Sequence, residues 1–352
     1  MKKRIALLPG DGVGPEVTNE AVKVLKKIAA KYNHEFIFTE RLIGGAAIDE
    51  VGEPFPKETE ELCISSDAIL FGAIGDPKYD NNPAAKIRPE QGLLTMRKTL
   101  GLYANVRPIK TYEPLYHQSP LKIDRIKGVD FVIVRELIGG IYFGARGREE
   151  EGRTAFDTCI YTTDEIERVS TYAFELAKTR RRKLSIVDKA NVLETSRLWR
   201  EVTKKLAHDY PTIQVEYLFV DNAAMQIIKR PAEFDVILTE NMFGDILSDE
   251  ASVITGSIGM LPSASVGEKI SLYEPIHGSF PKAAGKNIAN PIGTILSAAL
   301  MLEYSFQMKD EARAIQDAVY KTLERGFGTK DIATKHILGT REMGEKIASA
   351  LY

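Results

Sequence analysis

Two aspartates, Asp245 and Asp249, stand four residues apart in the stretch NMFGDILSDEASV. On a helix that spacing puts both carboxylates on one face, where like charges cost roughly 0.2–0.5 kcal/mol unless something offsets them. A hard divalent cation such as Mg²⁺ or Mn²⁺ would do so, because it prefers carboxylate and water oxygens. A solvated acidic face is the plainer alternative for such a pair, but Phe243, Ile246, Leu247 and Val253 give this one an apolar setting. A third aspartate, Asp221, closes the strand-like VEYLFVD, at the carboxyl end where α/β proteins commonly bind ligands.

Three arginines occupy comparable places. Arg97 falls in the helix-like GLLTMRKTL, Arg107 ends LYANVRP, and Arg135 ends the almost wholly apolar GVDFVIVRE. An arginine that closes a buried strand must meet an anion, since a lone buried charge is costly, and its planar fork suits carboxylates. Each alone reads as a structural ion pair; three together beside a cation would suit a di- or tricarboxylate. Lys189 follows a strand in SIVDKANVLE, flanked by Asp188 and Asn191, and Tyr142 lies in GGIYFGARG. Either could be plain surface, but a lysine beside a cation and arginines has its pKa lowered and can act as a general base near neutrality.

Such residues need a scaffold, and the apolar pattern describes one. RIALL is followed by Val17, Ala21, Val24, Leu25 and Ile28 at helical spacing, then by EFIFTE and DAILFGA. That alternation predicts an α/β fold. Further strands are expected in LYANVRPI, GVDFVIVRE, KLSIVD, QVEYLFV and FDVILT, with helices over 193–209, 291–306 and 310–325. No linker, repeat or low-complexity tract separates two halves, so a second domain would be inserted, with the chain crossing twice. The opening RIALLPGDGVGPEV spaces Gly10, Gly12 and Gly14 two apart. A dinucleotide fingerprint asks for G-x-G-x-x-G, whereas Val17 holds the third-glycine place counted from Gly12. Pro15 also removes an amide that an anion would want, and the next apolar run ends in Glu40, further along than the fingerprint asks. The loop therefore reads as a tight strand-to-helix turn.

Composition sets the outer limits. The chain has 352 residues, 44% of them hydrophobic, enough to fill two ordinary domain cores. Lys plus Arg number 47 against 49 Asp plus Glu, and no basic block stands out except Arg180–Lys183, so nucleic acid is not an expected partner. Cys63 and Cys159 lack partners at metal-ligand spacing, which fits a reducing compartment. No apolar run reaches the ~18 residues of a membrane span, and the start is too briefly apolar for a secretory signal. A cytoplasmic protein without membrane contact is expected.

Taken together, LPGDGVGPEV, RPEQGLLTMRK, ANVRP, VRELIGGIYFG, DKANVLE, FGDILSD, GSIGMLPSAS and EPIHGSFPKAAGKNIANP resemble the β-decarboxylating dehydrogenases, the isocitrate and isopropylmalate dehydrogenase family. The resemblance implies a two-domain α/β fold with a cofactor site unlike the Rossmann type. Residues 1–102 and 256–352 would form a cofactor-binding domain, and 103–255 an inserted domain for substrate, metal and dimerisation. It implies a homodimer with shared active sites, in which Lys189 and Asp221 come from the other subunit. Arg97, Arg107 and Arg135 would hold the malate carboxylates, while Asp221, Asp245 and Asp249 would bind Mg²⁺ or Mn²⁺. Lys189 would take the hydroxyl proton and Tyr142 would protonate C3 after decarboxylation. Val13, Glu274, His277, Gly278, Ser279, Phe280, Lys282, Ala283 and Asn290 would bind the nicotinamide cofactor.

Within that family, Leu93, Leu94 and the partner's Val192 would enclose an isopropyl group. A third carboxylate there would be desolvated without a partner, and Glu90 would repel it. The expected substrate is therefore 3-isopropylmalate, converted to 4-methyl-2-oxopentanoate and CO₂ in leucine biosynthesis; related alkylmalates, or an isocitrate-type reaction with NADP, are the alternatives. NAD-dependent members usually carry Asp where Lys282 stands. NADP-dependent isocitrate relatives carry Lys, but with a following Tyr and a downstream Tyr and Arg, whereas here Ala283 follows and GTKDIATK offers no such pair. NAD is expected, with NADP left open by Lys282. The stretch after Gly144 in YFGARGREEEG is shorter than the family's usual loop. A metal-dependent hydrolase would use the same aspartates and arginines, but no P-loop or nucleophile motif accompanies them. A non-catalytic, regulatory or RNA-binding relative is disfavoured because Tyr142, Lys189 and the three aspartates are all in place.

Overall fold

The computed structural model describes residues 1–80 and 87–351. The chain divides into two compact units, one of Met1–Leu102, Tyr112–Gln118 and Thr255–Tyr352, the other of Tyr103–Thr111 and Ser119–Ile254. The first unit opens with strands β1 (Lys2–Gly10), β2 (Glu35–Glu40) and β3 (Ala68–Ala73). The chain then runs through β4 (Leu102–Lys110), β5 (Asp130–Glu136), β6 (Arg146–Glu149), β7 (Thr154–Asp157), β8 (Lys183–Asp188), β9 (Gln214–Phe219) and β10 (Val236–Thr239). It returns to the first unit with β11 (Pro262–Gly267) and β12 (Leu272–Pro275).

In the first unit the strand order is β2-β1-β3-β12-β11. β1 runs parallel to both neighbours, with Leu7 opposite Glu40 and Leu70, and only the β11–β12 pair is antiparallel. In the second unit the order is β4-β5-β10-β8-β9, with β4 antiparallel to β5 and the rest parallel. Parallel strands covered on both faces read as unbroken apolar runs, and the sequence obeys this. AILFGA of β3 and VILT of β10 are buried at every position. The α/β expectation holds.

Each helix is placed by the residues it buries. Gly14–Tyr32 buries Val17, Ala21, Val24, Leu25 and Ile28 at the expected spacing and ends at Asn33, whose φ of 56° is left-handed as helix C-termini favour. Thr163–Lys178 starts at a capping box in which Thr162 and Glu165 each satisfy the other's backbone amide. Ile292–Tyr304 is buried continuously from Ile292 to Leu302, the behaviour of a helix apolar on all sides. The helices expected over 193–209, 291–306 and 310–325 are Glu194–Ala207, Ile292–Tyr304 and Lys309–Glu324. Asp221 lies two residues past the end of β9, in the first turn of the helix Val220–Lys229, rather than closing a strand. The short segment after Gly144 forms the exposed antiparallel hairpin β6–β7.

Candidate active site

In the second unit, the ends of β4 and β5 face the helix Asn241–Ser252. Arg107 is buried on β4, donating from Nε to Asn105 Oδ1 at 2.6 Å and from Nη1 to Ser248 Oγ at 2.6 Å. It also meets Asp249 at 3.4 Å and Asp245 at 3.8 Å. Asn105 reaches it because residues two apart on a strand share a face. Arg135, 3% exposed near the end of β5, donates to Asn241 Oδ1 from Nε at 2.9 Å and Nη2 at 2.8 Å, and pairs with Asp245. The Tyr142 phenol donates to Asp245 Oδ2 at 2.9 Å, and its ring centroid lies 5.7 Å from the Arg135 guanidinium. Asp245 and Asp249 are thus no mere solvated face; each meets a buried arginine.

The helix reaches this close because residue 244 has no side chain. A Cβ on Gly244 would lie 2.7 Å from Cβ and Cγ of Arg135. Electrostatics follow from burial and this charge mixture. Burial, and next the Asp245 charge, raise the Tyr142 phenol above its usual value, so it is a proton donor at neutral pH. Burial also raises the Asp249 carboxyl, against the pull of Arg107. Glu136 at the end of β5 and Glu240 just past β10 are buried as well. Glu136 accepts the Ile138 and Gly139 amides at 2.9 Å each, and burial pushes both Glu136 and Glu240 up to about 7.

Lys189 follows β8 and pairs with Asp221, a fairly exposed carboxylate that the lysine holds below its usual range. Val192 is exposed in the turn that follows, its amide bonded to the Lys189 carbonyl at 2.9 Å. Among the described residues no set of three or more His, Cys, Asp or Glu is gathered as a metal site. Within one chain the expected ligands therefore fall into a pair, Asp245 with Asp249, and a separate Asp221 beside Lys189.

The first unit holds the remaining candidates. Arg97, buried in the helix Pro89–Thr99, meets Glu274 at 3.3 Å and keeps a buried Nε with no hydrogen-bond partner. An orphaned guanidinium N–H is costly unless an anion completes it. Glu90 is exposed in the first turn of that helix, and Leu93 and Leu94 are half-buried. A cavity of ~820 Å³ is lined by Val13, Ser257, Ile258, Gly259, His277, Gly278, Phe280, Ile288, Ala289, Asn290, Lys330 and Asp331. His277 presents a buried Nε2 without a partner, and burial lowers its pKa, so the ring is neutral at pH 7. Its apolar walls and few polar groups fit an aromatic nucleotide. Among the expected cofactor residues, Ala283 instead packs in a core cluster with Val13, Val17 and Ala289, Glu274 faces Arg97, and Lys282 is exposed and outside the cavity lining.

The opening glycine loop serves this region by backbone contact. The Val13 amide donates to the Ser279 carbonyl at 2.8 Å, and a Cβ on Gly12 would lie 2.0 Å from that same oxygen, at a φ of +60°. Asp11 accepts the amides of Gly45, Ala46 and Gly75, each at 2.9 Å. The loop amides of Asp11, Val13 and Gly14 are spent on carbonyls, so these three are not offered to a phosphate. Asp11, Asn105, Asn241, Ser248 and Asp331 are polar partners that the chemistry-first reading passes over. Asn241 lies four residues before Asp245, a spacing that could have flagged it.

The chain matches the family described as isocitrate/isopropylmalate dehydrogenase over residues 4–347. It is 54% identical to a 3-isopropylmalate dehydrogenase of Heyndrickxia coagulans, covering 100% of this chain and 97% of that one. A 3-isopropylmalate dehydrogenase of Geobacillus kaustophilus is 56% identical, with 99% and 95% covered. Among solved structures, an isocitrate dehydrogenase from Methylococcus capsulatus superposes with a TM-score of 0.90 at 34% identity, covering 99% of both chains. With sequence and backbone matched along essentially their whole length, the chain belongs to the isocitrate/isopropylmalate dehydrogenase family.

Proposed function

We propose that the protein oxidises and decarboxylates (2R,3S)-3-isopropylmalate to 4-methyl-2-oxopentanoate and CO₂, reducing NAD, as a step of leucine biosynthesis. The observation that carries this is the end-to-end likeness, at 53–57% identity, to proteins named 3-isopropylmalate dehydrogenase. The half-buried Leu93 and Leu94 support the alkyl substrate over isocitrate.

The residues fit a divalent cation and a nicotinamide cofactor. Asp245 and Asp249 offer carboxylate oxygens to Mg²⁺ or Mn²⁺, and the cavity with its orphaned His277 Nε2 suits the adenosine of NAD. When bound, the cation would supply Lewis-acid stabilisation of the oxygen at C2 and NAD would accept the hydride. Arg97, Arg107 and Arg135 bind the two carboxylates and fix C2 and C3. Lys189 takes the C2 hydroxyl proton as general base. Tyr142, protonated because burial and Asp245 raise its pKa, delivers a proton to C3 once CO₂ has left.

Lys189 and Asp221 serve the active site of a second copy, so the working form is a homodimer. The exposure of Val192, Met225, Ile246 and Val253 in the second unit supports such a contact. NAD is preferred to NADP because Lys282 stands without the tyrosine and arginine that hold a 2′-phosphate in relatives. The same reading makes it a cytoplasmic enzyme; among the described residues no helix is long and apolar enough to cross a membrane.

Protein mixed with Mg²⁺, racemic 3-isopropylmalate and NAD or NADP should raise the absorbance of reduced cofactor, faster with NAD. No turnover with either cofactor would sink the proposal, and a strong NADP preference would reverse the cofactor assignment.

A further inference from the structure

We infer that Asn241 is a positioning residue that aims the Arg135 guanidinium while adding no charge to it. The inference rests on the reading of Arg135 as a binder of a substrate carboxylate. Asn241 is 1% exposed at the start of the helix Asn241–Ser252, and each of its polar groups has a distinct task. Oδ1 accepts Nε and Nη2 of Arg135, Nδ2 donates to the Gly139 carbonyl at 3.1 Å, and the backbone amide donates to the Tyr161 phenol oxygen at 3.0 Å. One buried residue thereby joins three pieces: β5 with Arg135, the turn that leads to Tyr142, and the helix carrying Asp245 and Asp249.

The choice of an amide over a carboxylate carries the argument. A carboxylate at this place would take the same two N–H groups in stronger, charge-assisted bonds, so an arginine held only for structure gains from aspartate. Arg135 already pairs with Asp245. A second carboxylate would neutralise the guanidinium further, repel an incoming anion, and leave the Gly139 carbonyl without its donor. The neutral oxygen fixes the plane of the fork and leaves its attraction for an anion in place. This is preorganisation of a binding group, in which the cost of orienting it is met before substrate arrives.

The test compares Asn241→Asp, Asn241→Ser and Asn241→Ala with Arg135→Lys in steady-state kinetics with 3-isopropylmalate, NAD and Mg²⁺. Circular dichroism and thermal midpoints check the fold. Asn241→Asp should raise KM for 3-isopropylmalate roughly tenfold or more while kcat changes less than about threefold, because the attraction that is weakened already holds a carboxylate in the bound substrate. Asn241→Ser, which keeps a neutral acceptor, should hold KM nearest to wild type, with Asn241→Ala between Ser and Asp. A wild-type KM in Asn241→Asp, or a KM in Asn241→Ala as high as in Asn241→Asp, overturns the inference. If Asn241→Asp does not fold, a KM in Asn241→Ser no better than in Asn241→Ala overturns it. Arg135→Lys separates the underlying reading: if it too leaves KM unchanged, Arg135 is not a carboxylate binder at all.

Discussion

Glu240 follows β10 at 5% exposure, with the Cys159 thiol 3.8 Å from its carboxylate, and burial pushes its pKa up to about 7 from an ordinary 4.5. An acid whose folded pKa lies above its unfolded one holds its proton more tightly in the native state. Its contribution is therefore intact below pH 4.5, fades as pH rises from 4.5 to about 7, and above that leaves a charged, buried group as a net cost. Glu240→Gln removes this titration with little change of shape. Between pH 4.5 and 7 the wild type should lose about 3 kcal/mol more stability than the variant, measured as urea midpoints at stepped pH. Parallel pH curves for the two proteins would show that Glu240 is not held neutral. At this scale the charged chemistry was legible: both buried strand arginines, Arg107 within β4 and Arg135 near the end of β5, meet carboxylates, and each aspartate of the i,i+4 pair meets an arginine. The amides Asn105 and Asn241 were not, because a neutral side chain gives no charge imbalance to explain; the one signal was the four-residue spacing of Asn241 from Asp245.

The helix Asn241–Ser252 sets two tendencies against each other at Gly244. Replacing a helix-interior glycine by alanine ordinarily gains about 1 kcal/mol, but here the new Cβ would meet Arg135 side-chain carbons at 2.7 Å. Contact that close pushes the arginine or the helix aside. G244A should therefore lower kcat/KM by roughly tenfold or more while the thermal midpoint stays near wild type. Undiminished kcat/KM would show that the close approach is dispensable. Strands with continuous apolar runs, such as β3, β5 and β10, could be read from the chain alone because both their faces are covered. β11 and β12 could not, since PSASVG and LYEP mix serine, proline and glutamate into buried positions. The end of β9 was hidden too: YLFV stays apolar across Phe219 while the backbone turns helical at Val220.

For the assembled enzyme, the sharing of sites between copies is the sharpest expectation. Lys189→Met and Arg97→Ala should each give a folded, inactive homodimer, since one removes the general base and the other a carboxylate anchor. Mixed dimers of the two should regain part of the wild-type rate, because one of their two sites then receives both intact residues. Verified mixed dimers that stay inactive would argue that each subunit works alone. Site sharing of this kind cannot be read from hydrophobic periodicity; it rests on motif resemblance, and the mixed-dimer rate is what tests it.

The pairing of β3 with β12 has a consequence for how the protein is made. Ile69 lies beside Leu272, and the buried helix Ile292–Tyr304 follows later still, so the N-terminal strands cannot finish their sheet until most of the chain has left the ribosome. The second unit, drawn wholly from residues between Tyr103 and Ile254, can close first. Through that interval β3, apolar at nearly every position, has an open edge of the kind that invites mispairing. During synthesis the segment most in need of a chaperone is thus the one translated early, well before either end of the chain can meet the other.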